Sequence, residues 1–215
     1  MIALIDYRAG NLTSVKKALA TIGADVFVPD EPRDLAKARG IIVPGVGHFG
    51  ATRALDGPWV EAILESVGEG RPLFGICLGM HWLFEGSEEA PGLAGLGVLA
   101  GRCYRLGTAG LNPDVADTTV RLPQPDRMKI PHVGWNSLSM IRTASIVDGV
   151  PDEAQVYFTH SYVAPITGDT VAITEHGEPF AAIVQRGYVS GVQFHPEKSG
   201  DVGLRILRNF VEIAG

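Results

Sequence analysis

The sequence is poor in cysteine and in positive charge. It contains two cysteines, Cys77 and Cys103, and we expect no disulfide between them in a reducing compartment. Acidic residues outnumber basic ones, the net charge is -6, and no basic stripe is present, which argues against a nucleic-acid partner. No apolar run is long enough to span a bilayer, and the chain begins with strand-like residues where a signal peptide would stand. We therefore expect a cytoplasmic protein without a membrane partner.

Patterns typical of metal and dinucleotide sites are missing or incomplete. The six histidines form no short, ligand-spaced cluster, and Cys-x-x-Cys does not occur, so no structural metal is expected. Residues 45–50 contain a formal Gly-x-Gly-x-x-Gly, the dinucleotide fingerprint. That fingerprint requires an acidic residue at the end of the next strand, and here the next strand ends in Cys77. The glycines therefore need another explanation.

The first eighty residues alternate between short apolar runs and segments of helical periodicity. Strands are predicted at residues 2–7, 25–28, 40–43 and 72–76, and helices at 12–22, 59–67 and 78–84. With 46% apolar residues, the chain can bury the core of a single domain, 1–215. This alternation predicts an α/β fold, a doubly wound and mostly parallel central sheet with helices on both faces. Active sites of such sheets lie at the carboxyl ends of the strands.

After residue 85 the pattern changes to glycine-rich turns and short strand-like pieces, which predict an antiparallel portion in the second half. The pieces lie at residues 97–106, 118–122, 135–140, 156–163, 171–174, 181–185 and 188–194. Residues 107–129, rich in Pro, Gly and Asp, are expected to form a long surface excursion. An amphipathic helix at residues 204–213 closes the chain, with Ser199 or Asp201 near its start.

Cys77 stands between a predicted buried strand and a predicted helix, with glycines two residues before and two after it. Gly-x-Cys-x-Gly has the spacing of the nucleophile elbow, in which glycines allow a sharp turn that leaves the reactive side chain exposed. A helix N-terminus at that point favours the thiolate, the nucleophilic form of cysteine. The alternative is an inert, buried cysteine that ends a core strand, which is also what we expect of Cys103.

Two further segments carry groups that a cysteine nucleophile needs. His195 is suited to accept the thiol proton, and Glu197, two residues on, to hold the other ring nitrogen. The turn Gly45-Val46-Gly47 can present backbone N–H groups to a developing oxyanion, together with the N–H of Leu78. A surface His-Glu turn and a plain tight turn are the simpler alternatives.

These motifs resemble those of the class I, or triad, glutamine amidotransferases. The resemblance is carried by Gly-Ile-Cys-Leu-Gly-Met at residues 75–80 and Phe-His-Pro-Glu at residues 194–197. Within this class, Pro-Gly-Val-Gly at 44–47, Pro-His-Val-Gly-Trp-Asn at 131–136 and Tyr-Phe-Thr-His-Ser-Tyr at 157–162 look like the glutaminase subunit of imidazole glycerol phosphate synthase. The motifs span nearly the whole chain, and the segment at 131–136 is the most diagnostic.

The resemblance implies hydrolysis of glutamine to glutamate and ammonia. It further implies that ammonia passes to a (β/α)₈ barrel synthase subunit, which forms imidazole glycerol phosphate and aminoimidazole carboxamide ribotide in histidine biosynthesis. No cofactor or metal is implied for this subunit. The residues carried over are Cys77, His195 and Glu197 as the triad; Gly45, Val46, Gly47 and Leu78 as the oxyanion hole; His81, His160, Ser161 and Tyr162 as glutamine-binding residues; and Trp135, Tyr157 and Lys198 as the partner interface.

Two positions depart from the family pattern. Arg8 stands where glycine is usual, and His81 stands where glutamine is usual, which leaves open how the substrate is held there. The glutaminase of pyridoxal phosphate synthesis shares the triad and also serves a barrel partner, but residues 129–136 argue against it. The non-enzyme alternative is an inactive subunit that only stabilises a synthase. His81 favours that alternative and the intact Cys77, His195 and Glu197 oppose it.

Overall fold

A computed structural model of the chain describes residues 1–55, 57–108 and 129–215. The strand predicted at residues 118–122 and most of the excursion predicted at 107–129 lie outside these ranges. Within them, no helix combines the length and the apolar character needed to cross a membrane.

The described residues form thirteen strands and four α-helices. Strands β1 to β13 are, in order, Ile2–Leu4, Val26–Phe27, Gly40–Val43, Leu73–Ile76, Gly86–Ser87, Arg102–Arg105, His132–Ser137, Ser139–Met140, Gln155–His160, Tyr162–Val163, Thr170–His176, Glu178–Arg186 and Val189–Val192. Helices α1 to α4 are Leu12–Thr21, Gly57–Gly68, Leu78–Leu83 and Gly200–Ile213.

The central sheet has eight strands in the order β2-β1-β3-β4-β13-β12-β11-β8. The first five run parallel to one another, and the last three add antiparallel pairings. The predicted doubly wound sheet with an antiparallel portion in the second half is therefore confirmed. Strands β7 and β9 form a separate antiparallel ribbon, and β10, β6 and β5 form a small third sheet.

Helices cover both faces of the sheet because neighbouring residues of a strand point to opposite sides. In β1, Ile2 and Leu4 belong to the core that also contains Leu19 of α1 and Phe210 of α4. Ala3 belongs to the opposite core, with residues of α2 and α3. Burying one aliphatic or aromatic side chain stabilises the fold by roughly 1.5–3 kcal/mol. Every residue of a continuous apolar run can contribute in this way only when both faces of the sheet are covered, as they are for the inner strands.

Several predicted strands are shorter or divided in the structure. The strand predicted at residues 2–7 ends at Leu4, because the chain turns at Arg8, whose φ is 63°, and the Arg8 N–H donates to the Asp6 carboxylate at 2.9 Å. The piece predicted at 97–106 is a strand only at Arg102–Arg105, because Gly97 and Gly101 have positive φ.

Two more predicted bounds differ because one apolar run serves two different sheets. The piece at 135–140 divides at Leu138 between β7 of the ribbon and β8 of the central sheet. The piece at 156–163 divides at Ser161 between β9 and β10. Helix α4 starts at Gly200, four residues earlier than predicted, with Ser199 at the N-cap position.

Candidate active site

Cys77 occupies a sharp turn between β4 and α3. Its backbone has φ 52° and ψ -106°, a conformation that costs a residue other than glycine about 1–3 kcal/mol. A Cβ on Gly75 would come within 2.6 Å of the Gly79 carbonyl oxygen, and a Cβ on Gly79 would overlap the Val43 carbonyl oxygen. Both glycines are therefore sterically required, and the turn predicted from the Gly-x-Cys-x-Gly spacing is present.

His195 and Glu197 form a buried pair beside this turn. The Nδ1–H of His195 donates to Glu197 Oε1 at 2.8 Å, and the two side chains are 1% and 2% exposed. The His195 N–H donates to the Tyr157 carbonyl at 2.9 Å, and Ser199 Oγ donates to the His195 carbonyl at 2.7 Å. These bonds hold the His195 backbone and its Nδ1 in place. The second ring nitrogen, Nε2, is thereby left available to exchange a proton with Cys77.

The charges around His195 favour its protonated form. Burial opposes a charge on the ring, but the Cys77 sulfur and the Glu197 carboxylate outweigh it and raise the pKa of His195 to about 10. Nε2 has no hydrogen bond of good geometry to any described residue, but the Cys77 sulfur beside it is the foremost of the groups that raise the pKa, ahead of Glu197. A pKa of about 10 means that the His195 ring is an imidazolium at neutral pH.

The free energy of unfolding should depend on pH because of the charged His195–Glu197 pair. Histidine has a pKa near 6.5 in an unfolded chain, and the folded value for His195 is about 10. A group whose pKa is raised by folding stabilises the fold fully below the unfolded value, and the contribution is lost as pH rises through the folded value. We expect Glu197→Gln to lower the free energy of unfolding most near pH 6, with the difference from wild type closing above pH 10.

Chemical unfolding at a series of pH values measures that difference. Glu61→Gln, which neutralises an exposed carboxylate of α2, is the matched control and should show no such trend. A difference for Glu197→Gln that does not change between pH 6 and pH 10 would contradict the assigned charge state.

A cavity of about 290 Å³ opens above Cys77 at the carboxyl edge of the sheet. Its lining contains, besides Cys77, the side chains or backbone of Val46, Gly47, Leu78, His81, Glu89, Pro131, Thr159, His160, Ser161 and Tyr162. The structure thus brings the predicted nucleophile, most of the predicted oxyanion residues and all four predicted glutamine-binding residues to one cavity.

The predicted oxyanion loop is only partly arranged for that role. Gly47 and Leu78 line the cavity, but the Val46 N–H donates to the carbonyl oxygen of Ala9 at 3.3 Å and so faces away from it. Gly45 lies beneath the cavity against the hydroxyl of Tyr7, which a Cβ at that position would overlap. One of the predicted donors is therefore engaged elsewhere in this state.

His160 is held neutral and in a defined tautomer. Its Nδ1–H donates to the Tyr162 carbonyl at 3.1 Å, so its Nε2 accepts from His132 Nδ1–H, also at 3.1 Å. Burial first, and then the neighbouring histidines, hold the pKa of His160 well below its ordinary value. Burial likewise lowers the pKa of His132 to about 4. His160 therefore lines the cavity as a neutral polar ring.

His81 lines the cavity and is tied to a residue that sequence reasoning missed. Its Nε2 lies 2.7 Å from Oε1 of Gln193, and burial lowers the pKa of His81 to about 4, so the ring is neutral. The Gln193 amide in turn reaches the Cys77 sulfur at 3.8 Å. Gln193 directly follows β13 and stands two residues before His195, and that proximity in sequence was the available signal.

Glu89 is a second residue that sequence reasoning missed. It is the one carboxylate in the described lining of the cavity, and its Oε2 accepts the Phe49 N–H at 2.6 Å. No motif marks it, because Glu89 lies in a turn after β5 and is brought to the cavity only by the tertiary fold.

The residues predicted at a partner interface lie together next to the cavity. Trp135 is 58% exposed and packs its ring edge-on against Tyr157 at a centroid distance of 6.1 Å. Lys198 Nζ stands 5.7 Å from the centroid of the Tyr157 ring. Thr159, which lies on the same face of β9 as Tyr157, is part of the cavity lining. This cluster of Trp135, Tyr157 and Lys198 is suited to a partner that covers the mouth, although the contact itself stays a prediction.

Comparison with known proteins agrees with this geometry. The profile of the family described as glutamine amidotransferase class-I matches residues 3–214. Among solved structures, one described as a glutamine amidotransferase superposes with a TM-score of 0.72 at 22% identity over the full length of both chains. PurLQS from Thermotoga maritima gives 0.70 at 16% identity, over 98% of this chain and 97% of that one. At these identities the two structures show the fold alone.

Curated sequences are closer. Imidazole glycerol phosphate synthase subunit HisH of Methanothermobacter thermautotrophicus is 40% identical over 214 residues, covering 99% of this chain and 98% of that protein. The subunit of the same description from Halobacterium salinarum is 44% identical over 221 residues, covering 98% and 92%. The chain therefore belongs to the class-I glutamine amidotransferases and, within them, to the family of imidazole glycerol phosphate synthase subunit HisH.

Proposed function

We propose that this chain hydrolyses glutamine to glutamate and ammonia, with Cys77 as nucleophile, His195 as base and Glu197 as the residue that orients His195. The observation that carries the proposal is the buried His195–Glu197 pair beside the strained turn at Cys77. Cys77 itself lines a cavity of about 290 Å³, and the pair lies behind that lining. A nucleophile, a base and an orienting carboxylate in this order are the parts of a covalent acyl-transfer mechanism.

The reaction follows from the charge state of the pair. The Cys77 thiolate attacks the side-chain amide carbon of glutamine, and the carbonyl oxygen becomes an oxyanion held by backbone N–H groups. The His195 imidazolium gives its proton to the departing nitrogen. The carbon–nitrogen bond breaks, ammonia leaves, and the acyl group remains on the Cys77 sulfur as a thioester. Water then attacks the thioester, His195 accepts its proton, and glutamate leaves as the Cys77 thiolate is restored.

The cavity suits one free amino acid. Glu89 supplies a negative charge for the α-ammonium group, since its Oε2 is already fixed by the Phe49 N–H at 2.6 Å. His160, Ser161 and Tyr162 also line the cavity and add neutral polar groups. His81 is a further neutral group of this lining and is bound to Gln193, which supports an active subunit despite the departure from the family pattern.

The partner in this proposal is the (β/α)₈ barrel synthase subunit, which uses the ammonia to form imidazole glycerol phosphate and aminoimidazole carboxamide ribotide in histidine biosynthesis. Membership of a synthase subunit family and the cluster of Trp135, Tyr157 and Lys198 beside the cavity support it. Residues 1–215 would act as one glutaminase domain of a heterodimer in the cytoplasm. The test is ammonia release from glutamine by the full chain with and without the barrel subunit; no release in either case would overturn the proposal.

Lys198 should couple the two subunits. Its ammonium group stands over the exposed side of Tyr157, and charges at the rim of an interface mainly set orientation and association rate. We expect Lys198→Ala to weaken binding of the barrel subunit by about fivefold to tenfold, a rim-charge effect, and to leave the free energy of unfolding within about 0.5 kcal/mol.

Titration of the barrel subunit, followed by both binding and glutaminase rate, measures the effect of Lys198. Lys37→Ala is a matched control, because Lys37 is an exposed lysine paired with Asp34 in a different part of the chain. Equal affinity and equal coupling for wild type and Lys198→Ala would remove Lys198 from the proposed interface.

A further inference from the structure

The side chain of Gln193 lies between the candidate nucleophile and His81. It is fully buried, its Nε2 faces the Cys77 sulfur at 3.8 Å, and its Oε1 lies 2.7 Å from His81 Nε2. Its backbone is also fixed, because the Gln193 N–H donates to the Ala182 carbonyl at 2.9 Å. Gln193 therefore directs a polar group at the Cys77 sulfur, as the triad residue His195 does.

The direction of the amide depends on His81. With the amide oxygen toward His81, the ring must carry its proton on Nε2 and donate it, since an amide oxygen only accepts. If the amide turned over, its oxygen would face the sulfur and repel a thiolate, and His81 would have to accept at Nε2. The neutral ring of His81, whose pKa burial lowers to about 4, is able to hold the first arrangement across neutral pH.

We propose that Gln193 is a positioning residue for Cys77: its amide N–H donates to the sulfur, and the Nε2–H of His81 locks the amide in that orientation. As a role in glutamine hydrolysis, this rests on the proposed function, but its effect on the sulfur does not require glutamine. The donor favours the thiolate and holds it in one place, because a charge-assisted hydrogen bond stabilises the ionised acceptor. In this role His81 acts on the sulfur through Gln193.

The same geometry explains why histidine is accommodated at position 81. A ring N–H at this point supplies the donor that Gln193 Oε1 needs, at 2.7 Å. The amide of a glutamine would also supply an N–H donor, whereas an apolar ring of similar size would leave a buried amide oxygen unpaired. An unpaired buried acceptor costs about 1–3 kcal/mol and would free the amide to turn over.

Alkylation of the full-length chain by iodoacetamide tests the proposal without glutamine or a partner. Cys103 is fully buried and burial raises the pKa of its thiol, so the reaction reports Cys77. We expect Gln193→Met, which keeps the side-chain size but removes the donor, to slow alkylation at pH 7 on the order of tenfold and to shift the pH profile of alkylation upward. Gln185→Met is the matched control, because that amide bonds to Ser145 and Ile146 away from Cys77.

Position 81 provides a second test that does not depend on how well Gln193→Met folds. We expect His81→Phe to slow alkylation severalfold and His81→Gln to recover most of that loss. In the double variant Gln193→Met/His81→Phe, the second change should add nothing to the first, because residues that act through one contact are not additive.

Two results would overturn the inference: alkylation by Gln193→Met at the wild-type rate, or equal rates for His81→Phe and His81→Gln. The fate of the proposed function is read separately, from ammonia release by the wild-type chain with the barrel subunit. A wild-type chain that alkylates as expected but releases no ammonia would refute the proposed function and leave the positioning role of Gln193 standing.

Discussion

Replacement of Cys77 by alanine should abolish glutamine-dependent turnover, lowering it by at least about 10⁴-fold, because no other described group can form the thioester. The fold should survive, since alanine is smaller than cysteine and its Cβ already has a place in the turn at φ 52°. Synthesis supported by added ammonium salt should persist when the variant is bound to the barrel subunit, because that reaction belongs to the partner. The measurement is glutamate and product formation by the complex with each nitrogen source.

Cys103→Ala is the matched control for this experiment. Cys103 is fully buried between strands, and its thiol contacts the His81 carbonyl at 3.9 Å rather than the cavity. We expect this variant to lose some stability and to keep glutamine-dependent turnover. A glutamine-analogue electrophile should label Cys77 in the wild type and leave Cys103 unmodified. Ammonia release from glutamine at the normal rate by Cys77→Ala would exclude the covalent route.

The parts of the site that were predictable from sequence are those set by local sterics. The turn at Cys77 follows from two glycines at fixed spacing, because a Cβ at Gly75 or Gly79 would collide with nearby backbone. The His195–Glu197 bond at 2.8 Å likewise lies within one short segment, although Glu197 reaches the ring from a 3-10 turn, Pro196–Lys198, and not from the extended segment that the i, i+2 spacing predicts. The alternation of strands and helices was visible for the same reason, since its period is local.

The rest depends on tertiary packing, which leaves no local signal. Glu89 reaches the cavity from a turn after β5, and only its long-range bond to the Phe49 N–H shows why it points inward. The apolar run around Leu138 divides between two sheets because β8 pairs with β11 while β7 pairs with β9. The role of His81 was likewise ambiguous until its partner Gln193, 112 residues away, was in place.

The free chain should be a poor glutaminase, and docking of the barrel subunit with its substrate should raise the rate constant by about a hundredfold or more. The reason is the Val46 N–H, which donates to the Ala9 carbonyl at 3.3 Å and so is withheld from the oxyanion. Loss of one oxyanion donor costs about 10²–10³ in rate. An N···O distance of 3.3 Å is long for such a bond, so contacts from a docked partner could replace it with little loss.

Gly47, which follows Val46, allows this reorientation to be tested selectively. Gly47 has φ 97° and open space around it, so Gly47→Val introduces backbone strain in the loop without a clash. Gly23→Val is the matched control, because Gly23 also has positive φ, 75°, and open space but ends α1 far from the cavity. We expect both variants to lose about 1–2 kcal/mol of stability, and only Gly47→Val to lose most of the partner-dependent increase in rate.

Rate constants for glutamine hydrolysis, measured for each chain alone and in complex, separate activation from stability. Activation should appear mainly in the rate constant and little in the Michaelis constant, because the Val46 N–H binds charge that exists only in the transition state. Hydrogen exchange adds a structural readout, since the Val46 amide should exchange differently once its bond to Ala9 is replaced. Full turnover by the isolated wild-type chain, equal to that of the complex, would show that the observed Val46 orientation does not limit the reaction.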